Sequence, residues 1–155
     1  MTACTSPVSA TPLPHRPTVP ADRPRFGGIL WRLARLTNPI MLPLAGRRWN
    51  PIFAVVQHRG RRTGRRYATP VAARRVPSGF VISLSFGSQV DWYRNLAAAG
   101  GGTIVWRGRT YRIAAPERID ATVARASFHP VQRAALRLTG IDSFVLAPDR
   151  GALDA

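Results

Sequence analysis

The sequence contains no lysine and few acidic residues. Its 23 basic residues are therefore all arginine, and with only 7 acidic residues they give a formal net charge of +16. A positive field of this size attracts anions, which include nucleic acids, acidic membrane surfaces and small phosphorylated or carboxylated ligands. Net charge does not choose among these three classes, so the choice depends on local patterns.

Cysteine is almost absent. Cys4 is the single cysteine, which excludes an internal disulfide and a cysteine-rich metal site and fits a cytoplasmic protein. The few carboxylates and the three histidines have no spacing typical of a metal site or of a Ser/His/Asp triad, so we predict neither. His58 is interpreted as a hydrogen-bonded structural residue rather than a catalyst.

Long apolar runs are also missing. None approaches the roughly 20 residues that span a bilayer, and the first residues lack the features of a secretory signal. Residues 1–24 are rich in proline, serine and threonine, and we predict a disordered tail there. Residues 25–150 are predicted to form a single domain, because 45% of the chain is hydrophobic and can supply a core.

A helical pattern follows the tail. Four apolar residues share one face of a helix that starts near Arg25 and ends before Pro39. They are Ile29, Leu30, Leu33 and Leu36. This face either packs on the domain, which we favour, or lies on an anionic membrane surface with the help of nearby arginines. Residues 25–45 are therefore the candidate for peripheral membrane contact.

Short strand patterns dominate the rest of the domain. Six segments rich in β-branched or aromatic residues are separated by turn residues. They are residues 52–58, 67–74, 79–85, 103–108, 110–116 and 141–148. We predict an α+β, mainly β fold, in which about six strands form a barrel with flanking helices.

Local signals also place turns and helices. Arg107-Gly108 predicts a tight hairpin turn. Asp91 is predicted to be the N-cap of a helix that ends at Gly100. Residues 117–139 predict one or two helices broken at His129-Pro130.

The stretch "GRRTGRR" (60–66) lies between the first two predicted strands. Gly60 and Gly64 permit tight or left-handed backbone conformations that bring main-chain N–H groups close to a ligand. The four arginines have the guanidinium geometry that matches phosphate and carboxylate oxygens. The stretch is either an anion-binding turn or a solvated, arginine-rich hairpin, and it lacks the lysine of a Walker A loop.

Two segments together resemble the deazaflavin-dependent nitroreductase family. The first pairs the basic loop with a proline six residues later, and the second is Trp-x-x-Asn-Leu about twenty residues further on. The matching residues are Gly60, Arg61, Arg62, Thr63, Gly64, Pro70, Trp92, Asn95 and Leu96. The resemblance extends from about Leu36 to Leu146, and it implies a split β-barrel related to flavin-binding oxidoreductases and the use of coenzyme F420.

The resemblance also implies roles for individual residues. Arg61, Arg62, Thr63 and Gly64 would hold the phosphate and polyglutamate tail of the coenzyme. Pro70 and the strand ending at Ser85 would line its ring system, and Trp92 with Asn95 would close the groove. Reduced F420 would deliver a hydride from C5 to a quinone, a nitroaromatic or a similar electrophile.

The proton donor is not fixed by the motifs. Tyr67, Tyr93, Ser83 and Ser85 are within the implied region, and Tyr67 and Ser85 are the catalytic residues we name. The chain departs from the family at Tyr67, where relatives often have arginine, and at Phe86, where lysine is common. Its C-terminal region also lacks the tyrosines that line the substrate pocket of relatives.

Two alternatives remain open at this stage. One is a non-catalytic barrel that binds a cofactor, a tetrapyrrole or a lipid, which the departures at Tyr67 and Phe86 favour. The other is a nucleic-acid-binding protein that stacks bases on aromatic residues beside arginines. We favour the oxidoreductase, with a small-molecule substrate and no nucleic acid partner, and the sequence does not define the oligomeric state.

Overall fold

The computed structural model describes residues 43–153, which form a β-barrel with short helices. The strands are β1 (Phe53–Arg59), β2 (Arg66–Val76), β3 (Gly79–Ser83), β4 (Gly101–Trp106), β5 (Arg109–Ala114), β6 (Glu117–Ile119) and β7 (Phe144–Leu153). The helices are α1 (Asp91–Ala99), α2 (Ala121–Ala126) and α3 (Pro130–Leu138). The predicted tail, the predicted helix after Arg25 and most of the 25–45 segment lie outside the described residues.

The strands pair antiparallel in the order β3-β2-β1-β4-β5-β7-β6, and β3 also pairs with β7. Strand β7 closes the barrel because its two halves have different partners. Its first half pairs with β3 between Phe144 and Pro148, and its second half pairs with β5 from Asp149 to Leu153. The closed six-stranded barrel confirms the predicted split-barrel, mainly β fold.

The barrel interior is filled by alternate residues of its strands. Ala54, Val56 and Ile104 are fully buried on β1 and β4, and Phe80 and Ile82 are fully buried on β3. A second, smaller cluster lies between the barrel wall and the C-terminal helices, where the rings of Phe128 and Phe144 are 5.8 Å apart. No helix within residues 43–153 is long and apolar enough to cross a membrane.

Several local predictions are confirmed. Arg107 and Gly108 both have positive φ, at 49° and 77°, as a type I′ hairpin turn requires. Gly100 ends α1 with a left-handed φ of 72°. The break at His129-Pro130 separates α2 from α3, which begins at Pro130.

Other boundaries differ from the prediction. Asp91 is the first residue of α1 and not its N-cap; Val90 is the N-cap and makes no side-chain capping bond. The carboxylate of Asp91 instead pairs with Arg61. Strand β3 ends at Ser83, so Ser85 lies in the turn that follows it and not at the end of the strand.

The C-terminal region contains two further differences. Residues 117–119 were predicted to be helical but form β6, a three-residue strand that exists through its pairing with β7. The last strand was predicted at 141–148 but spans Phe144–Leu153, because β7 changes partner and continues past Pro148.

Candidate active site

One edge of β2 is open over most of its length. Strand β2 pairs with β1 from Phe53↔Ala72 to Arg59↔Arg66. It pairs with β3 only beyond this segment, from Ala73 onwards. Residues 66–72 therefore have a strand on one side and a groove on the other.

The alternation of an antiparallel ladder identifies which backbone groups face this groove. The N–H of Ala73 donates to the carbonyl of Ile52 at 3.1 Å, so Ala73 bonds towards β1. The even-numbered residues from 68 to 72 consequently direct their backbone groups away from β1. Pro70 occupies one of these positions, where a missing N–H breaks no ladder bond.

The groove opens into a cavity of about 730 Å³. Arg61, Arg62 and Thr63 lie at its rim on the basic loop. Its other walls include Tyr67 and Pro70 on β2, Ser85 after β3, and Trp92 and Asn95 on α1. Of the residues predicted to hold the coenzyme, only Gly64 does not border the cavity.

The basic loop is held in a compact turn. The N–H of Gly60 donates to the carbonyl of Arg65, and the N–H of Gly64 donates to the carbonyl of Gly60, both at 2.8 Å. A Cβ at Gly60 would lie 2.9 Å from Thr63 Oγ1 and 3.0 Å from Tyr67 Cε2, so the turn has no room for a side chain there. Gly64 adopts a φ of +66°, which favours glycine.

Arg61 connects this loop to α1. Its backbone N–H and its guanidinium Nη1 both donate to Asn95 Oδ1, at 3.1 and 3.0 Å. The same Nη1 pairs with Asp91 Oδ1 at 2.9 Å. The side chain of Arg62 is exposed and has no partner within residues 43–153. Arg61 is therefore fixed by the protein, whereas Arg62 remains available to a ligand.

His58 lies beneath the loop and is 7% exposed. Its Nδ1 is 3.0 Å from Asn95 Nδ2, and its Nε2 is 3.1 Å from Thr69 Oγ1. Burial lowers the pKa of His58 below its ordinary value of 6.5, and the nearby Asp91 carboxylate opposes this effect without reversing it. The imidazole is therefore neutral at pH 7.

The two residues named as catalytic differ in their surroundings. Tyr67 stacks on His58 with 5.6 Å between ring centroids and is 44% exposed, so its ring is oriented by His58 and the residue borders the cavity. Ser85 Oγ is 3.3 Å from Ser83 Oγ, which in turn reaches the carbonyl of Ala72 at 3.5 Å. The Ser85 hydroxyl is thus linked to the open edge of β2.

Trp92 belongs both to the cavity wall and to the core, and only 7% of its surface is exposed. The other candidate donor on α1, Tyr93, packs edge-on against Trp92 and does not border the cavity. Phe86, which takes the place of a common lysine, does border it. Phe144 is only 1% exposed and lies in the second core cluster, away from the cavity.

The model of the F420H(2)-dependent quinone reductase family matches residues 42–138. This match includes β1 to β6 and all three helices. The chain belongs to the F420H2-dependent quinone reductase family. It is therefore an F420H2-dependent oxidoreductase that uses coenzyme F420, as the resemblance of its two motifs implied. No curated protein matches the chain significantly.

The cavity of this reductase fits the coenzyme by the chemistry of its two ends. At the rim, the exposed guanidinium of Arg62 and the backbone of the basic loop suit the phosphodiester and carboxylates of the tail. Along the wall, the open strand edge and the side chains of Pro70 and Trp92 suit a planar ring with hydrogen-bonding atoms on its periphery. Its volume is in the range typical of cofactor sites.

The two sequence motifs do not include His58 or Thr69. The prediction of His58 as a hydrogen-bonded residue agrees with its contacts to Asn95 and Thr69. The strand register supplies the missing signal: His58 is the cross-strand partner of Tyr67, and Thr69 lies two residues further on the same face of β2.

Proposed function

We propose that this chain transfers a hydride from reduced F420 to quinones and nitroaromatics, with the coenzyme in the groove beside the open edge of β2. The proposal rests on one observation: the open edge of β2 and the arginine rim border the same cavity. A flat ring and a polyanionic tail need two such surfaces in one cavity, and both border it here.

In this arrangement Arg62 and Thr63 hold the anionic tail directly. Arg61 contributes charge from a fixed position, because Asn95 and Asp91 already hold its guanidinium. Gly64 acts by shaping the turn and not by contact. The role of Asn95 in closing the groove is likewise indirect, since its amide bonds to Arg61 and His58.

The ring system lies against Pro70 and the backbone groups of its even-numbered neighbours on β2. Ser85 and Trp92 form the facing wall, and Trp92 restricts water because it is packed into the core. When bound, reduced F420 supplies a hydride from its C5. The protein supplies orientation of the ring and a proton donor for the reduced substrate.

Tyr67 and Ser85 are the proton donors we propose. The Tyr67 ring is oriented by stacking on His58, and its hydroxyl has no partner within residues 43–153. The Ser85 hydroxyl connects through Ser83 to the strand edge. We expect Tyr67→Phe and Ser85→Ala each to lower kcat for the oxidation of F420H2 and to leave the affinity for F420 nearly unchanged.

The direct test is a fluorescence titration with F420 beside an identical titration with flavin mononucleotide, at physiological salt. We expect saturable binding that is selective for F420. Oxidation of F420H2 is then followed with a soluble naphthoquinone and with a nitroaromatic as acceptors. Selective binding without turnover of either acceptor would contradict the proposed substrates, and equal affinity for flavin mononucleotide would contradict the proposed mode of recognition.

A further inference from the structure

A chain of hydrogen bonds runs from Arg61 through the protein to the cavity wall. It begins at Asn95, whose Oδ1 faces two groups that only donate, the backbone N–H and the guanidinium of Arg61. The oxygen of the amide must therefore point to Arg61. The amide nitrogen, which only donates, must then face His58 Nδ1 at 3.0 Å.

This orientation fixes the proton on the imidazole. His58 Nδ1 accepts from Asn95 and carries no hydrogen, so the hydrogen of the neutral ring is on Nε2. Nε2–H then donates to Thr69 Oγ1 at 3.1 Å. Thr69 accepts this bond, and its own hydroxyl hydrogen has no acceptor within residues 43–153.

Thr69 borders the cavity and is partly exposed. It directly precedes Pro70 within β2, whereas Arg61 and Arg62 at the rim lie on the loop before this strand. The neighbouring surface is therefore that proposed for the ring system and not that proposed for the anionic tail.

We propose that Thr69 donates a hydrogen bond to a ring carbonyl oxygen of the bound deazaflavin, and that Asn95 and His58 are positioning residues which keep the Thr69 hydroxyl a donor. The inference rests on the proposed location of F420 in this groove. Because Arg61 stands at the start of the chain, its positive charge polarises each bond in the direction of the ring.

The test compares Thr69→Val with Thr69→Ser in fluorescence titrations. Valine keeps the shape of threonine and removes the hydroxyl, whereas serine keeps the hydroxyl. Each variant is titrated with F420 and with the same deazaflavin truncated at its ribityl chain, which has no phosphodiester or glutamates. We expect Thr69→Val to bind both ligands about tenfold more weakly than wild type, which corresponds to the loss of one hydrogen bond. Thr69→Ser should bind both with an affinity within about twofold of wild type.

A second measurement does not depend on the ligand. A two-bond ¹H–¹⁵N spectrum of the histidines reports the tautomer of each imidazole, and we expect Nε2–H for His58. A hydrogen on Nδ1 would overturn the proposed direction of the chain. The exposed His129 serves as an internal comparison.

The outcomes separate the two proposals. Unchanged affinity of Thr69→Val, with wild type binding F420, would overturn the role of Thr69 and leave the proposed function intact. If Thr69→Val bound intact F420 more weakly but the truncated ligand with unchanged affinity, Thr69 would lie at the tail, and the assignment to the ring would be overturned. Failure of the wild type to bind either ligand would overturn both the proposed function and this inference.

Discussion

Arg61 and Asn95 are joined by two hydrogen bonds, one from the backbone and one from the guanidinium of Arg61, although 34 residues separate them in the sequence. The two sequence motifs of the family are thereby connected within one site. The asparagine of the second motif holds the arginine of the first, so the basic loop and α1 behave as one unit.

Replacement of Asn95 with alanine should destabilise this unit. Asn95 is 4% exposed, and its removal leaves the buried His58 Nδ1 and the Arg61 N–H without their partner. We expect a loss of about 1–3 kcal/mol in the free energy of unfolding, measured by urea denaturation. Arg94→Ala, an exposed change on the same helix, should stay within about 0.5 kcal/mol of wild type. Equal stability of the two variants would contradict the role given to Asn95.

The two arginines of the rim should behave differently. Arg62→Ala should weaken F420 binding about tenfold and leave the unfolding free energy unchanged, because Arg62 makes no bond within the described chain. Arg61→Ala should weaken binding and also lower stability, because it breaks the contacts to Asn95 and Asp91. The double replacement should cost about 2–4 kcal/mol of binding free energy.

Arg137→Ala on α3 is the control for net charge in these titrations, since it removes the same charge from an exposed site on another element. If Arg137→Ala weakened F420 binding as much as Arg62→Ala, the overall positive charge, and not the basic loop, would account for the attraction of F420.

The stability of the protein should depend on pH through His58. Its pKa in the folded chain is lowered below 6.5, so the unfolded chain takes up the proton first as the pH falls. The stabilising contribution is complete above pH 6.5 and is lost as the pH falls from 6.5 through the lower folded pKa. His58→Gln removes the titration, so the stability of wild type relative to this variant should fall between pH 7.5 and pH 5. A difference that stays constant or grows would contradict the assignment.

Replacement of Gly79 should destabilise the closure of the barrel between β3 and β7. Gly79 has a φ of +144°, and a Cβ there would lie 2.2 Å from the carbonyl oxygen of Ala147 on β7. Gly79→Ala should lower the free energy of unfolding by at least about 3 kcal/mol, because it adds both backbone strain and steric overlap. Gly140→Ala is the matched control, because Gly140 also has positive φ, at +66°, but nothing lies near its Cβ position. It should cost only about 1 kcal/mol, measured in the same thermal or urea experiment.

Turns and helix ends whose conformation is set by residues adjacent in the sequence could be predicted from the sequence. The Arg107-Gly108 turn and the end of α1 at Gly100 follow from the backbone freedom of a few residues. Asp91 was assigned to the wrong position at the helix start, because its carboxylate pairs with a side chain 30 residues away and not with its own helix. Strand β6 was missed because three residues carry no periodic pattern of their own.

The site was predictable to the extent that motif residues converge on it. The residues of both motifs surround one cavity, except for Gly64 and for Leu96, which is buried in the core. His58 and Thr69 were missed because their importance depends on the pairing of β1 with β2, and a single-residue change of register would place them on opposite faces. Their relationship to Asn95 is a tertiary contact that no local pattern contains.

The open edge of β2 also bears on how copies of this chain meet one another. A row of unpaired backbone groups is a template for intermolecular β-pairing and aggregation. Pro70 interrupts that row by removing an N–H and adding a ring that a docking strand would meet, and Arg65 and Arg66 repel a second copy at its entrance. The proline at this edge therefore withholds one of the backbone donors that a docking strand of a second copy would need.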